Sequence, residues 1–261
     1  MLMDGLRSAG PDCSLELKLS WPASKCYMVN LADSNSDYAL ELREISKVYE
    51  GPPIVRALSN VSLSVNHGEL LGIIGSSGSG KSTLLHIMGT LSTPSSGSIL
   101  IDGINVVGMS DKQLSGIRAR KIGFVFQEFF LLPGFSALEN VANGLLYSGI
   151  TSEERMERAF EMLGRVGLSQ RSSHLPNELS GGEQQRVAVA RALVHNPSFV
   201  LADGPTGNLD SENTASMMTL LTSLNEEGTT VILITHDLEV AESAQRKITL
   251  RDGSVDSDIG Q

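Results

Sequence analysis

The run Gly75-Ser76-Ser77-Gly78-Ser79-Gly80-Lys81-Ser82-Thr83 constrains this chain more than any other stretch. It fits the pattern G-x-x-x-x-G-K-[ST], which holds phosphate when it follows a strand and opens a helix. Both flanks are present. Leu70-Leu71-Gly72-Ile73-Ile74 is short, apolar and branched, as a buried strand is. Ser82-Thr83-Leu84-Leu85-His86-Ile87-Met88 places apolar residues at helical spacing. Glycines let several backbone N–H groups face one anion, and the helix start adds partial positive charge. In such a loop Lys81 reaches the β- and γ-phosphates and the Ser82 hydroxyl ligates Mg²⁺. The expectation is a chain that binds a nucleoside triphosphate.

Short apolar runs alternate with helical patterns around this loop. Strands are expected at 38–45, 58–65, 70–74, 98–101, 122–126, 199–203, 230–235 and 247–250, with Tyr49 in a turn before Gly51-Pro52-Pro53. Helices are expected at 111–120, from Ser136 toward Tyr147, from Thr151 to about Val166, from Ser180 to Leu193, and at 211–226 and 237–244. Ser136 and Glu139 stand at capping-box spacing. The alternation points to an α/β core rich in parallel strands.

Composition narrows the function classes. The chain has 261 residues, 41% hydrophobic and 19% charged, ample for a real core. A net charge of −10 argues against nucleic acid as partner. No apolar run approaches the roughly 18 residues that span a bilayer, so a membrane role must come through a partner chain. Residues 1–37 lack periodicity and read as a poorly ordered extension, without the features of a presequence. Its Cys13 and Cys26 read as ordinary thiols, and Met28 as an alternative translation start.

Two further motifs sharpen the reading. Phe199-Val200-Leu201-Ala202-Asp203 is an apolar strand ending in one carboxylate, the pattern that holds Mg²⁺ beside a phosphate loop. Leu179-Ser180-Gly181-Gly182-Glu183-Gln184-Gln185-Arg186 sets a serine and glycine amides at a helix start, a second anion site with no lysine of its own. This octapeptide closely resembles the signature motif of the ABC-type ATPases, and the resemblance covers roughly residues 38–255. Leu132-Pro133, Ala137-Leu138-Glu139-Asn140-Val141 and the run 205–210 are most similar to the lipoprotein-release and macrolide-export ATPases.

The resemblance implies one domain over 38–255 and a tail at 256–261. That domain would hold a P-loop core with a mostly parallel sheet, an N-terminal antiparallel β subdomain, and a helical subdomain at about 128–190 carrying the signature. It implies that ATP is held by Tyr49 on the adenine, by Gly75 through Thr83 on the phosphates, and by Ser180, Gly181, Gly182, Glu183 and Asp210 from a facing subunit. Ser82, Gln127 and Asp203 would hold Mg²⁺, and Gln127 and His236 would attend the reacting phosphate. One chain supplies half of each composite site, so a dimer is implied, identical or mixed, together with a transmembrane permease subunit. That places the chain on the cytoplasmic face of the inner membrane. The run 129–132 lies where such a permease meets the helical subdomain; burial in that subdomain's own core is the rival reading. His67, His86, His174 and His195 match no motif and read as structural or surface residues.

One position departs from the family pattern. Where the family carries a glutamate after the metal-binding aspartate, this chain has Gly204. Glycine can neither take a proton nor orient a water, and removing a positioned base costs typically ~10²–10⁴-fold in rate. The expectation is intact nucleotide binding with impaired hydrolysis in the ATP-binding subunit of an exporter of lipoproteins, peptides or drugs. The alternatives are a slowly hydrolysing regulatory clamp and a soluble ABC ATPase outside transport.

Overall fold

The computed structural model describes residues 36–260; Cys13, Cys26 and Met28 lie outside them. In chain order the elements are β1 (Tyr38–Tyr49), β2 (Val55–Asn66), β3 (Leu70–Ile74), α1 (Lys81–Met88), β4 (Ser96–Ile101), β5 (Ile104–Asn105), α2 (Asp111–Lys121) and β6 (Ile122–Phe126). Then follow α3 (Ala137–Ala142), α4 (Ser152–Arg165), α5 (Gly181–Leu193), β7 (Phe199–Asp203), α6 (Ser211–Glu226), β8 (Val231–Ile234), α7 (Leu238–Glu242), β9 (Arg246–Arg251) and β10 (Ser254–Gly260).

Two sheets result. One is antiparallel, in the order β2-β1-β4-β5; the other runs β10-β9-β3-β8-β7-β6 and is parallel except where β10 returns along β9. The parallel strands read as unbroken apolar runs because both faces are covered, Val231–Ile234 being buried at every position. Leu42 and Ile99 from the first sheet, Leu84 and Ile87 from α1, and Phe199 and Ile232 from the second share one core. Val141, Leu163, Val187, Met217 and Leu233 form another beneath α3–α6.

Local chemistry sets the helix starts. Ser136 accepts from the Glu139 amide and Glu139 reaches back to the Ser136 N–H, the expected capping box. Thr151 caps α4 in the same way through the Glu154 amide.

The elements correct the sequence reading in four places. Tyr49 is the last residue of β1, paired with Val55, rather than part of a turn. α3 ends at Ala142 and gives way to a 3₁₀ turn over Asn143–Leu145 instead of running to Tyr147. There Gly144 lies so close to Arg191 that a Cβ would come within 2.7 Å of its carbonyl oxygen. β5 was not expected, and β10 occupies most of the expected tail at 256–261. Both strands follow Asp-Gly turns, Asp102-Gly103 and Asp252-Gly253, with φ of 48° and 74°, and 47° and 76°. Asp-Gly between apolar runs is a hairpin signal, because both residues tolerate positive φ.

Candidate nucleotide site

The phosphate loop joins β3 to α1, as the sequence predicts. Gly80 caps α1 in the left-handed region at φ 103°, and a Cβ there would meet the Ala57 carbonyl at 2.6 Å. The loop rests on the last hairpin: the Gly253 N–H donates to the Ser79 carbonyl at 3.0 Å, and the Gly253 carbonyl accepts from Ser59 at 2.8 Å. Lys81 Nζ donates to the carbonyls of Gly75 and Ser76, both at 2.8 Å. Burial lowers the Lys81 ammonium pKa, and the nearby Asp203 charge partly offsets this.

Asp203 ends β7 two strands away in the same sheet, paired with Ile234 of β8. Burial raises its pKa, opposed by the charges of His86 and Lys81. His86, read from sequence as structural or surface, thus faces the electrostatic environment of the strand-end carboxylate. Ser82 is exposed in the first turn of α1. A hydroxyl and a carboxylate are hard oxygen donors, the kind Mg²⁺ takes while drawing remaining ligands from water and phosphate. Among the described residues no cluster of three or more His, Cys, Asp or Glu forms an all-protein cage. The donor set fits a cation shared with a phosphate.

Gln127 follows β6 and faces the loop after Asp203. Its Nε2 donates to Asn208 Oδ1 at 3.2 Å, while Asn208 Nδ2 donates to the Gln127 main-chain carbonyl at 3.0 Å. Gly204 has φ 52°, and a Cβ there would stand 3.3 Å from Gln127 Oε1. His236, after β8, shares a cavity of about 570 Å³ with Gly204, Gly207 and Thr235. Tyr49 is 43% exposed at the end of β1, with Lys47 Nζ 5.1 Å from its ring centroid. β1 and β2 pair Lys47 with Leu58, next to the Ala57 carbonyl that abuts Gly80.

The signature turn caps α5. Ser180 accepts from the Glu183 amide at 3.2 Å, and Glu183 Oε2 accepts from the Ser180 N–H at 2.8 Å. That backbone hydrogen bond, aided by Arg171, holds the Glu183 carboxyl below its ordinary range. A Cβ on Gly182 would meet Asn213 Oδ1 at 2.3 Å, so any side chain there displaces the Asn213 amide. Asn213 in turn donates to both oxygens of Asp210, each at 3.0 Å. Gln185 is fully buried and donates to the Pro205 carbonyl at 2.7 Å, and Arg186 donates to Ser216 Oγ at 2.5 Å.

Two groups of expected residues are thus assembled. Lys81 and Asp203 stand within electrostatic reach, and Gln127, Gly204 and the 207–208 loop are in contact. Asp210 joins the signature turn through Asn213. No hydrogen bond or ion pair connects described residues 75–83 to 180–183. Sequence reasoning missed Asn213; Asn208 and Gln185 stand inside motifs read from the sequence, but their contacts with Gln127 and Pro205 come from residues distant in sequence. The run 129–132 divides: Leu131 packs on the core beneath α3–α6, whereas Phe130 is 60% exposed. Phe130 lines an open cavity of about 870 Å³ with Arg118, Arg120, Phe126, Tyr147 and His195.

A fold with a phosphate loop on a parallel sheet and a serine-glycine capped helix presented beside it defines the ABC ATPase cassette. A family model described as ABC transporter matches residues 58–207. The chain belongs to the ABC transporter ATP-binding family. It is 50% identical over 222 residues to the lipoprotein-releasing system ATP-binding protein LolD of Bordetella pertussis, covering 84% of this chain and 96% of that protein. It is 48% identical over 220 residues to the macrolide export ATP-binding/permease protein MacB of Chlorobaculum tepidum, covering 84% of this chain and 34% of that one. Among solved structures, the ATP-binding cassette MJ0796 in a dimeric post-hydrolysis state bound to ADP and Pi superimposes with a TM-score of 0.77 at 46% identity, over 85% of this chain and 98% of that chain. Among the described residues no helix is long and apolar enough to cross a membrane.

Proposed function

We propose that this ATP-binding subunit takes Mg-ATP into two half-sites, pairs with a second ATP-binding subunit across them, and drives a separate permease slowly or not at all by hydrolysis. The observation that carries the reading is the pair of unlinked helix starts: Gly75–Thr83 offers a lysine and loop amides, and Ser180–Gly182 offers amides without a cation. Each suits one side of a triphosphate, and no hydrogen bond or ion pair among the described residues joins them. Lys81 would neutralise phosphate charge, Ser82, Asp203 and Gln127 would hold Mg²⁺, Tyr49 would stack on the base, and His236 would face the terminal phosphate. Bound Mg²⁺ would supply charge neutralisation at the phosphates.

The partner would be a transmembrane permease, with this chain on its cytoplasmic side. The cavity bearing Phe130 and Tyr147, the latter 83% exposed, is the surface offered to it. The similarity to LolD and MacB supports lipoproteins, peptides or amphiphilic drugs as cargo. Gly204 alone favours a second reading, an ATP-dependent clamp that regulates an assembly with little turnover.

Phosphate release at saturating Mg-ATP, compared between the native chain and Gly204→Glu in the permease complex, tests hydrolysis. The expected gain is about 10²–10⁴-fold. A left-handed backbone costs a glutamate about 1–2 kcal/mol, so melting is measured alongside. Similar and substantial rates in both proteins would overturn the impaired-hydrolysis reading.

A further inference from the structure

The ammonium of Lys47 stands over the ring of Tyr49, 5.1 Å from its centroid, at the end of β1. Alternation along a strand sends residues two apart to the same side, which brings this pair together. Lys47 Nζ is also tied down, donating to the Thr93 main-chain carbonyl at 2.7 Å. That carbonyl lies in the connection from α1 to β4, which is itself bonded to the end of β1. The Ser95 N–H donates to the Ser46 carbonyl at 2.8 Å, and the Val48 N–H donates to Ser95 Oγ at 3.0 Å. Among the described residues Lys47 forms no ion pair with a carboxylate. Its charge is directed instead at one carbonyl and one aromatic face. Tyr49 is 43% exposed even with this cation over its ring.

We infer that Lys47 is a positioning residue for the nucleotide base: it holds one face of the Tyr49 ring and leaves the opposite face set for stacking. The inference rests on the proposed stacking of the base on Tyr49. An exposed aromatic side chain at a strand end turns among rotamers, and ordering it on binding costs free energy. A cation already seated over the electron-rich ring face removes part of that cost. The tie to Thr93 matters here, because a lysine left free would bring its own disorder to the contact. A cation–π contact at an exposed site corresponds to about a two- to fivefold bias. The base stack itself corresponds to about five- to 150-fold. Lys47 thus acts on the base through the ring, and the grip on the phosphates does not depend on it.

The measurement is calorimetric titration of the full chain, in Mg²⁺, with a non-hydrolysable ATP analogue and separately with inorganic triphosphate, which has no base. The proteins compared are native, Lys47→Met, Lys47→Arg, Tyr49→Ala and the double variant Lys47→Met with Tyr49→Ala. Lys47→Met is expected to weaken the analogue by about two- to fivefold and to leave triphosphate unchanged. Lys47→Arg, which keeps a cation for the ring, should bind the analogue as the native chain does. The double variant should match Tyr49→Ala alone. Unchanged analogue affinity in Lys47→Met, or an equal loss in the Tyr49→Ala background, overturns the inference and leaves the stacking reading standing. An equal loss for analogue and triphosphate overturns it too, since Lys47 would then act on phosphate charge. Native analogue affinity in Tyr49→Ala overturns the stacking itself, and the inference with it. Lys47→Gln replaces Lys47→Met if melting shows that variant unfolded.

Discussion

The phosphate loop and the signature turn both present a helix start, yet they are held by different means. The first is fixed mainly by backbone: Gly80 in the left-handed region, and Ser79 bonded by its carbonyl to the Gly253 amide. Its charged side chain, Lys81, is left to point at loop carbonyls. The signature turn is fixed by side chains, namely Ser180 and Glu183 on each other, Gln185 on Pro205, Arg186 on Ser216, and Asn213 against Gly182. A backbone-built site tolerates side-chain change and loses function when its one cation is lost. A site built from side chains loses shape first.

Lys81→Ala is the largest test of that contrast. A hydrogen bond to a charged group contributes about 1.5–3 kcal/mol, so ATP-analogue affinity should fall about 10- to 150-fold with melting little changed. A large melting loss would mean that Lys81 holds the loop together and would break the comparison. Gly182→Ala should act in the opposite way, because its methyl group lands on Asn213. Overpacking of this kind costs about 1–3 kcal/mol, read as a lower melting temperature, while analogue binding by the separate chain persists. Asn213→Ala in the same protein should recover most of the loss, since it removes the obstructing amide.

Ser180→Ala removes an N-cap and should cost about 1 kcal/mol. A smaller pH effect accompanies it. The lowered Glu183 pKa means that its contribution is present above the ordinary glutamate value and is lost as pH falls through the depressed folded value. The native chain should therefore lose melting temperature more steeply as pH falls below the ordinary glutamate range than Glu183→Gln, which carries no titrating group there, does. Parallel acid profiles would show that the box contributes nothing in solution.

The same division explains what could be read before the fold was known. Lys81, Ser82 and the Ser180–Glu183 cap are local patterns, in which residues a few positions apart do the work. Asp203 was legible as a strand end, because an unbroken apolar run closing on one carboxylate marks a buried strand. Asn213 carries no local signal, and the motifs that contain Asn208 and Gln185 do not name their partners: these lie at Gly182 for Asn213, 81 residues away in Gln127 for Asn208, and 20 residues away in Pro205 for Gln185. The two Asp-Gly hairpins were different, since their turn chemistry was visible. β5 is two residues long and β10 is rich in polar residues, so neither strand announced itself by hydrophobicity. Tyr49 extended β1 because pairing with Val55 outweighed the glycine and prolines that follow.

The Asp252-Gly253 turn also bears on how this sequence can change over time. Its glycine amide and carbonyl grip the phosphate loop on one side and β2 on the other, 174 positions from Ser79 in the chain. Surface turns are ordinarily where insertions accumulate. Here one added residue would shift the Gly253 amide off the Ser79 carbonyl, so the length of this turn is tied to the geometry of the phosphate loop.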